Sequence, residues 1–433
     1  MNFEFIDNVP ALATALPLAL VFFVGARVTP QGAISLPCVM ALTTLMYFYV
    51  LPLLVLSLRD NGFFGLFLTD MRWAHFAACL YAVGAALAML AAFDAFALDP
   101  AAPRPQDAPM SNRAFLSLWA IAGAGVVALV MTKQLTFFEA DSDLLESPSQ
   151  YLFLNESLNL LVPLTILWVV RRDFSLTSLL VVPLVLLLFV QVGFRFRILI
   201  LLSGLGTSFA TTRKMKVGVA HALAGLTVAV IMAIMVGALR SYGRGLDLAR
   251  LGGSLEDTVS EQLLGECGTI YVLSSFADSP LPDPIYFEPW LLGFVRMIPT
   301  FLWPEKPTSD YLSIYSSMLA LPGGDKAGVG APQHVEMLLQ FGWLGLPFLA
   351  FGYYGVVAWL LRALSRQGRE ARVAGYAIAP VFFGYYMQTR GYFFQIFTDG
   401  LFMFGPLLLV RASSISAAAA GPVRTSTRPL PRS

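Results

Sequence analysis

The chain alternates between long apolar runs and short polar connections along most of its length. An α-helix needs about 17 to 25 apolar residues to cross the hydrocarbon core of a bilayer, and runs of this length recur about eleven times. They occupy residues 9–26, 34–58, 73–96, 114–131, 151–170, 174–192, 196–212, 217–239, 335–361, 373–389 and 392–411. The pattern predicts an all-α polytopic membrane protein.

One long polar stretch, from Arg240 to Pro332, interrupts this alternation. The predicted organisation is a first bundle of about eight helices over 1–239, a large loop over 240–335, about three helices over 336–411, and a basic tail over 412–433 that we expect to be disordered. A large folded loop inside a membrane bundle is an expected place for function.

The loop itself contains apolar residues at helical spacing. Residues 260–276 predict a short amphipathic helix, and the stretch from Trp290 to Trp303 predicts a helix lying at the membrane surface. Proline-rich pieces at 280–284 and 304–307 are typical of rigid turns. We therefore expect a lid held against the bilayer.

Composition supports the membrane class, since 57% of the residues are hydrophobic and only 13% are charged, with a mean hydropathy of +0.70. A formal net charge of +1 indicates no affinity for nucleic acid. The three cysteines predict neither a disulfide framework nor a cysteine metal site. The first apolar run follows no basic segment, so we expect a retained span rather than a cleaved leader.

Lysine and arginine in the connections set the predicted orientation. With eleven crossings, the basic connections at 171–172, 213–216 and 362–372 and the basic tail all fall on one side, which we take as cytoplasmic. The N-terminus and the 240–335 loop then face outward. The C-terminus then lies in the cytoplasm, and the large loop is extracytoplasmic.

Seven basic residues are exceptions to the preference of lysine and arginine for the cytoplasmic side. They lie on the outer side or at its membrane boundary: Arg195, Arg197, Arg240, Arg244, Arg296, Lys306 and Arg390. Each alone could be a snorkelling anchor or a partner of loop carboxylates such as Asp247 and Glu256. Together they predict a site for an anionic lipid headgroup, because the arginine fork donates paired hydrogen bonds to phosphate.

The spacing of these arginines refines the prediction. Arg240 and Arg244 share a helical face if the eighth helix continues through Tyr242 and Gly243. Arg195 and Arg197 are two apart and point to different sides of a regular helix. We therefore expect one direct phosphate contact and one supporting role from this pair.

Glu336 and His334 are the candidate catalytic residues. They follow a glycine-rich approach, residues 328–332, where the chain re-enters the membrane. Glu336 could simply compensate the dipole at a helix start. It could also serve as a general base, with His334 as the rival for that role.

These motifs, taken in order, resemble the Wzy-type oligosaccharide repeat-unit polymerases. The likeness lies in the arginine-bearing turn at 195–197, the loop segments Arg296-Met297-Ile298-Pro299 and Trp303-Pro304-Glu305-Lys306-Pro307, the approach to Glu336 with Gln340-Phe341-Gly342, and the late Arg390-Gly391. It covers roughly residues 190–400. No single motif carries it.

The resemblance implies a GT-C-like helical fold and a bacterial polymerase of O-antigen, capsule or exopolysaccharide. Such enzymes transfer a growing glycan from polyprenyl diphosphate to the terminal sugar of a carrier-linked repeat unit. Glu336 is then the expected base, with His334 as alternative or acceptor-orienting partner, and the seven basic residues are assigned to the diphosphates. Expected partners are the carrier-linked donor and acceptor and the lipid bilayer, with a chain-length regulator and a flippase as further candidates. No cofactor is expected.

A metal route remains as an alternative, because Asp141 and Asp143 form an Asp-x-Asp pair on the outer side. Short acidic loops are usually only solvated, and arginines can neutralise a diphosphate without a metal ion. We therefore expect a metal-independent enzyme.

Three other functions remain open at this level. An O-antigen ligase uses the same donor with a different acceptor. A lipid-linked oligosaccharide flippase needs charged residues along a crossing path, whereas in-span charge is sparse here, with Asp94, Glu156 and Asp399 as the main cases, and the basic residues gather at one face. A non-catalytic partner in a secretion complex tolerates single replacement of Glu336 and the arginines.

Overall fold

A computed structural model describes most of the bundle and parts of the long loop. The described residues are 15–50, 72–104, 107, 110, 112–131, 156–192, 195–222, 224–225, 227, 240–241, 245–246, 284–298, 302–306, 333–390 and 397–409. Within them the protein is mostly helical, as expected of an all-α membrane protein. Asp141, Asp143, Arg244 and the predicted helix over 260–276 lie outside the described residues.

The first half of the bundle contains nine α-helices: α1 Ala15–Val28, α2 Leu36–Leu45, α3 Arg72–Ala91, α4 Phe93–Phe96, α5 Asn112–Met131, α6 Leu161–Arg171, α7 Leu176–Leu179, α8 Val181–Val192 and α9 Arg195–Thr212, as far as this half is described. A π-helical turn, Met46–Val50, extends α2, and a 3-10 turn, Leu158–Leu160, precedes α6.

The remainder contains β1 Arg240–Ser241, β2 Gly245–Leu246, α10 Glu288–Met297, α11 Gln333–Ser365, α12 Arg369–Val381, a π-helical turn Phe382–Tyr386, and α13 Met387–Arg390. A last apolar helix, α14, spans Phe397–Leu409.

The predicted apolar runs are helical wherever the structure describes them at length. Three helices are long and apolar enough to cross a bilayer, namely Trp73–Ala91, Asn112–Met131 and Gln333–Ser365, and several shorter apolar helices accompany them in the described residues. By length and composition these helices are consistent with an all-α membrane protein. The count of eleven crossings and the GT-C-like arrangement stay predictions.

Helices α3 and α11 form the centre of the bundle. Their backbones approach so closely that a Cβ atom at Gly84 would overlap the Pro347 carbonyl, which leaves room only for glycine at that point. Around this pair the buried apolar side chains of α2, α6, α9 and α12 form one continuous core. Leu20, Leu184 and Leu344, in contrast, point outward and are more than half exposed, as expected of residues that face lipid.

Contacts between connections bring several helix ends together at one end of the bundle. At one end, Lys216 donates to the Arg27 carbonyl, Gln31 donates to the Leu98 carbonyl, and Arg104 donates to the Ser365 carbonyl. All of these connections belong to the side predicted to be cytoplasmic. The grouping agrees with the alternation of crossings, while the identity of the two sides stays a prediction.

Two short strands follow the eighth predicted helix. Arg240 pairs with Leu246, and Ser241 with Gly245, in an antiparallel ribbon. Arg240 is therefore in a strand, and the condition for a face shared with Arg244, a helix continuing from the eighth span, is not met at Arg240. Glycines at 243 and 245 disfavour a helix there.

The predicted interfacial helix exists with different bounds. It is α10, which starts at Glu288 rather than Trp290 and stops at Met297, where Ile298 is extended with ψ 120°. Pro299 explains the early end, because the residue before a proline is driven out of the helical region. Leu291 and Phe294 on this helix are exposed, as an interfacial helix requires.

Candidate functional site

The candidate base Glu336 lies on a short helical arm rather than on a straight transmembrane helix. Helix α11 is broken at Gly342, which has φ 69° and ψ −171°. This backbone region is open essentially only to glycine. The preceding residues, 333–341, form the arm. Residues 333–340 of the arm are all buried, so the arm enters the bundle, and the predicted single span over 335–361 is corrected to an arm followed by a helix.

Two polar residues one helical turn apart meet on this arm. Gln340 donates a hydrogen bond from Nε2 to the Glu336 carboxylate at 3.1 Å. Both residues are at most 2% exposed. The carboxylate therefore faces protein, not lipid, and an amide donor fixes one of its oxygens.

His334 is enclosed by aromatic rings. Its ring centroid lies 4.3 Å from that of Phe48, edge to face, and 6.0 Å from that of Tyr81. The His334 Nε2 atom is buried and makes no hydrogen bond to any residue in the described part of the chain. This surrounding suits a neutral imidazole that packs or orients better than one that carries charge.

A hydrogen-bonded group links the arm to three other helices. The Tyr81 hydroxyl donates to the Gln333 side-chain oxygen at 2.7 Å and lies 3.2 Å from the Tyr354 hydroxyl. The Gln388 amide lies 3.1 Å from the Tyr354 hydroxyl and 3.2 Å from Thr44 Oγ1. These bonds hold the arm in one position against α2, α3 and α13.

Arg197 belongs to a second buried polar group. Its Nε donates to Asn159 Oδ1 at 2.6 Å. The Asn159 amide nitrogen donates to Glu156 at 2.6 Å and to Asp399 at 2.7 Å, and the Tyr386 hydroxyl donates to Asp399 at 2.8 Å. Arg197 is 1% exposed, so its charge is compensated inside the protein by carboxylates.

One short stretch of chain serves both groups. The π-helical turn Phe382–Tyr386 supplies Tyr386 to the Asp399 side, and α13 immediately after it supplies Gln388 to the Tyr354 side. Tyr385, immediately before Tyr386, has its hydroxyl 2.9 Å from the Tyr47 hydroxyl. π-helical turns are frequent at functional sites because they alter which faces the side chains occupy.

The segment before α10 is joined to the arm by main-chain hydrogen bonds. The Ile285 N–H donates to the Leu339 carbonyl at 3.2 Å and the Tyr286 N–H to the Gln340 carbonyl at 2.9 Å. The Phe287 and Phe341 rings pack edge to face at 4.7 Å. The segment that leads into α10 is thus attached directly to the element that carries Glu336.

The predicted basic residues are only partly described. Lys306 is 4% exposed and donates from Nζ to the Ile298 carbonyl at 2.7 Å. Arg195 begins α9, Arg240 lies in β1, Arg296 lies in α10 and Arg390 ends α13, but their side chains lie outside the described residues, as does the whole of Arg244. Convergence of the seven on one anion stays a prediction.

Several residues of these two buried polar groups were not among the predicted site residues. Gln333, Tyr81, Tyr354 and Asn159 are polar residues inside apolar runs, and this was the available signal, because a polar side chain at membrane depth needs a partner. Glu156 and Asp399 stand out as in-span charges, but only the folded chain reveals that they share one amide with Arg197.

Two further observations bear on the site: the arrangement of possible metal ligands, and the similarity of the chain to known proteins. In the described ranges, no three histidine, cysteine, aspartate or glutamate side chains converge as a metal site. No model of a known protein family, no curated protein and no solved structure matches this chain. The functional assignment therefore depends on the residues themselves.

Proposed function

We propose that this protein is a metal-independent membrane glycosyltransferase that polymerises oligosaccharide repeat units carried on polyprenyl diphosphate. The observation that supports it most is the buried carboxylate of Glu336, held by Gln340 on an arm that joins the bundle to the extramembrane helix α10. The family resemblance of residues 190–400 supports the same reading. The glycan is O-antigen, capsule or exopolysaccharide, and the reaction takes place on the periplasmic face of the inner membrane.

The reaction needs a base and a group of cations. A hydroxyl of the acceptor sugar attacks the anomeric carbon of the donor glycan, its proton passes to Glu336, and the bond from that carbon to the diphosphate breaks. The polyprenyl diphosphate leaves with the bonding electron pair. The basic residues Arg195, Arg240, Arg244, Arg296, Lys306 and Arg390 neutralise its charge in this proposal.

Arg197 takes the supporting role in the pair of arginines at the start of α9. Its burial and its bond to Asn159 favour a function in fixing the start of the helix. Arg195, two residues earlier, is then the direct phosphate ligand. His334 orients the acceptor, since an imidazole surrounded by Phe48 and Tyr81 is poorly placed to hold a proton.

Replacement of Glu336 by Gln is the decisive experiment. Purified protein is placed in vesicles with polyprenyl-diphosphate-linked repeat units and no nucleotide sugar, and the wild type should produce a ladder of longer glycans. Glu336→Gln should reduce the rate of extension by about 10²- to 10⁴-fold, as expected for loss of a general base. Normal ladders from this variant would remove Glu336 from the mechanism.

The matched control is Glu288→Gln, the same change at the exposed first residue of α10. It should leave the ladder unchanged. The thermal unfolding midpoint of both variants, measured in the same detergent, should equal that of the wild type, which separates lost chemistry from lost folding. Inhibition of the wild type by a chelator would overturn the metal-independent assignment.

A flippase is the second candidate, favoured by one observation. Glu156 and Asp399 lie side by side in the bundle and accept hydrogen bonds from the same Asn159 amide nitrogen, and buried carboxylates inside a membrane bundle are typical of transport paths. Vesicles that move carrier-linked repeat units across the bilayer but form no ladder would support this alternative over the polymerase.

A further inference from the structure

Three polar side chains form a row along the buried arm. Gln333, Glu336 and Gln340 are spaced by three and four residues, which places them on one face of a helix. We call this row the arm stripe. All three are at most 2% exposed. A helix enclosed by other helices in a membrane carries such residues only where they have a partner or a function.

The arm stripe uses only part of its hydrogen-bonding capacity. The Gln333 side-chain oxygen accepts from Tyr81, and the Gln340 side-chain nitrogen donates to Glu336. The other atom of each amide, Gln333 Nε2 and Gln340 Oε1, is buried without a hydrogen bond to any described residue. Buried polar atoms are almost always paired, so these two require a further partner.

A neighbouring tyrosine points to the same need. The Tyr353 hydroxyl lies beside the Gln333 amide, and neither this hydroxyl nor Gln333 Nε2 makes a hydrogen bond to any described residue. A small polar group placed between them would satisfy both. The stripe therefore offers a donor at one end, an acceptor at the other, and a carboxylate in the middle.

This arrangement selects among ligand classes. A phosphate oxygen cannot pair with the Gln340 side-chain oxygen, because both atoms only accept hydrogen bonds. The Glu336 carboxylate also only accepts, and its charge repels the phosphate. A hydroxyl donates and accepts at once, so several hydroxyls on one ring can pair with an amide donor, an amide acceptor and a carboxylate. The rings of Phe48 and Tyr81 beside the arm add apolar faces suited to sugar C–H groups.

We propose that the arm stripe is the binding site for the acceptor sugar, with Gln333 and Gln340 holding ring hydroxyls on either side of the one that Glu336 deprotonates. This inference rests on the proposed function. It separates the acceptor, bound by amides on the arm, from the diphosphates, bound by basic residues.

Kinetics with two distinct substrates test the inference. Vesicles receive a pre-extended carrier-linked glycan at saturating concentration as donor, and the initial rate is measured against the concentration of single carrier-linked repeat units taken from cells that lack this protein. Gln333→Leu should raise the KM for the single repeat unit roughly three- to tenfold, the effect of one lost hydrogen bond. The KM for the donor and the kcat should change less than twofold.

A second variant and a control sharpen the result. Gln340→Leu should raise the same KM and also lower kcat, because Gln340 contacts Glu336 as well. Gln31→Leu removes another buried glutamine, one that bonds the Leu98 carbonyl in a distant connection, and should change neither constant. An unchanged acceptor KM in Gln333→Leu, or equal changes for donor and acceptor, overturns the proposal.

Binding to the inactive Glu336→Gln protein gives a test that keeps both glutamines of the stripe. The thermal midpoint is measured with the single carrier-linked repeat unit and with polyprenyl diphosphate that carries no sugar. The sugar-bearing ligand should raise the midpoint further. Equal shifts of the thermal midpoint with the two ligands would mean that the buried atoms bind only water, and would overturn the sugar site. A wild-type protein that forms no ladder in the extension assay would instead contradict the proposed function.

Discussion

Two buried polar groups at different places in the bundle differ in how completely they are paired. At the connection between α11 and α12, Arg372 donates five hydrogen bonds, to the carbonyls of Pro100, Ala102 and Gln367 and to both oxygens of Asp107. We call this group the loop clamp. On the arm stripe, one atom of each glutamine amide has no partner among described residues.

The difference distinguishes a structural group from a binding group. A guanidinium has five N–H donors, and the loop clamp uses all of them, so it holds a single geometry and offers nothing to a ligand. The arm stripe is equally buried but incompletely paired, and it is hydrogen-bonded to an extramembrane segment through Tyr286. Incomplete pairing under full burial is the property that indicates a ligand.

Arg372→Met should have the largest effect on folding. The change removes the Arg372 donors from the Asp107 carboxylate, which keeps only the Arg104 N–H, and from three carbonyls, and breaking such a buried pair costs about 3–5 kcal/mol of unfolding free energy. The thermal midpoint in detergent measures it. Arg369→Met, an exposed position on the same helix, should stay within about 0.5 kcal/mol of the wild type. Equal effects of the two changes would show that the clamp contributes no stability.

Gly342→Ala should have the next largest effect, and it should concentrate on activity. A Cβ atom at Gly342 would meet no atom within 4 Å, so the change acts only through the backbone conformation, at a cost of about 1–3 kcal/mol. Relief of that strain displaces the arm and lowers the rate of glycan extension.

Gly352→Ala is the matched control for this change. Gly352 lies in the regular part of α11 and also has no atom near the added Cβ. Alanine should be neutral or slightly stabilising there. A Gly342→Ala protein with full activity would show that the bend is not needed to position Glu336.

Strong acid should weaken the loop clamp. Burial raises the pKa of Asp107, but hydrogen bonds from Arg372 and from the Arg104 N–H, with the charges of both arginines, outweigh it, and the pKa lies below its usual range. A lowered folded pKa contributes stability above the unfolded value, about 3.9, and that stability is lost as the pH falls through the folded value.

The thermal midpoint should therefore fall more steeply below about pH 4 in the wild type than in Asp107→Asn. Asp94→Asn is the control, because Asp94 also pairs with an arginine, Arg362, at 2.6 Å, but that ion pair is exposed. Its acid response should match the wild type in high salt, where exposed pairs are screened. An acid response of Asp107→Asn identical to the wild type would contradict the assignment.

The sequence predicted the helices well where apolar length alone determines them. The run 114–131 corresponds to α5, Asn112–Met131, and the run 73–96 corresponds to α3 and α4. The break at Gly342 could not be predicted in the same way. The apolar pattern continues through it, and a glycine in an apolar helix is common in membrane proteins.

The roles of individual arginines were harder to predict for a different reason. Arg372 counts in the sequence as one of several basic residues that set orientation, yet the folded chain buries it completely. Its partner Asp107 is 265 residues away, and no local pattern indicates that pairing. Arg197 likewise reveals its carboxylate neighbours only when α6, α9 and α14 are packed together.

The π-helical turn Phe382–Tyr386 has a consequence for how tolerant this region is of insertions and deletions. Such a turn contains one residue more than an α-helical turn, so the chain on either side of it is out of phase by about 100°. Loss of a single residue there would restore a regular helix and rotate Gln388 away from Thr44 while Tyr376 kept its place. The additional residue thus sets the rotation of the following helical segment relative to the preceding one. The length of this stretch is therefore more constrained than the identity of its side chains.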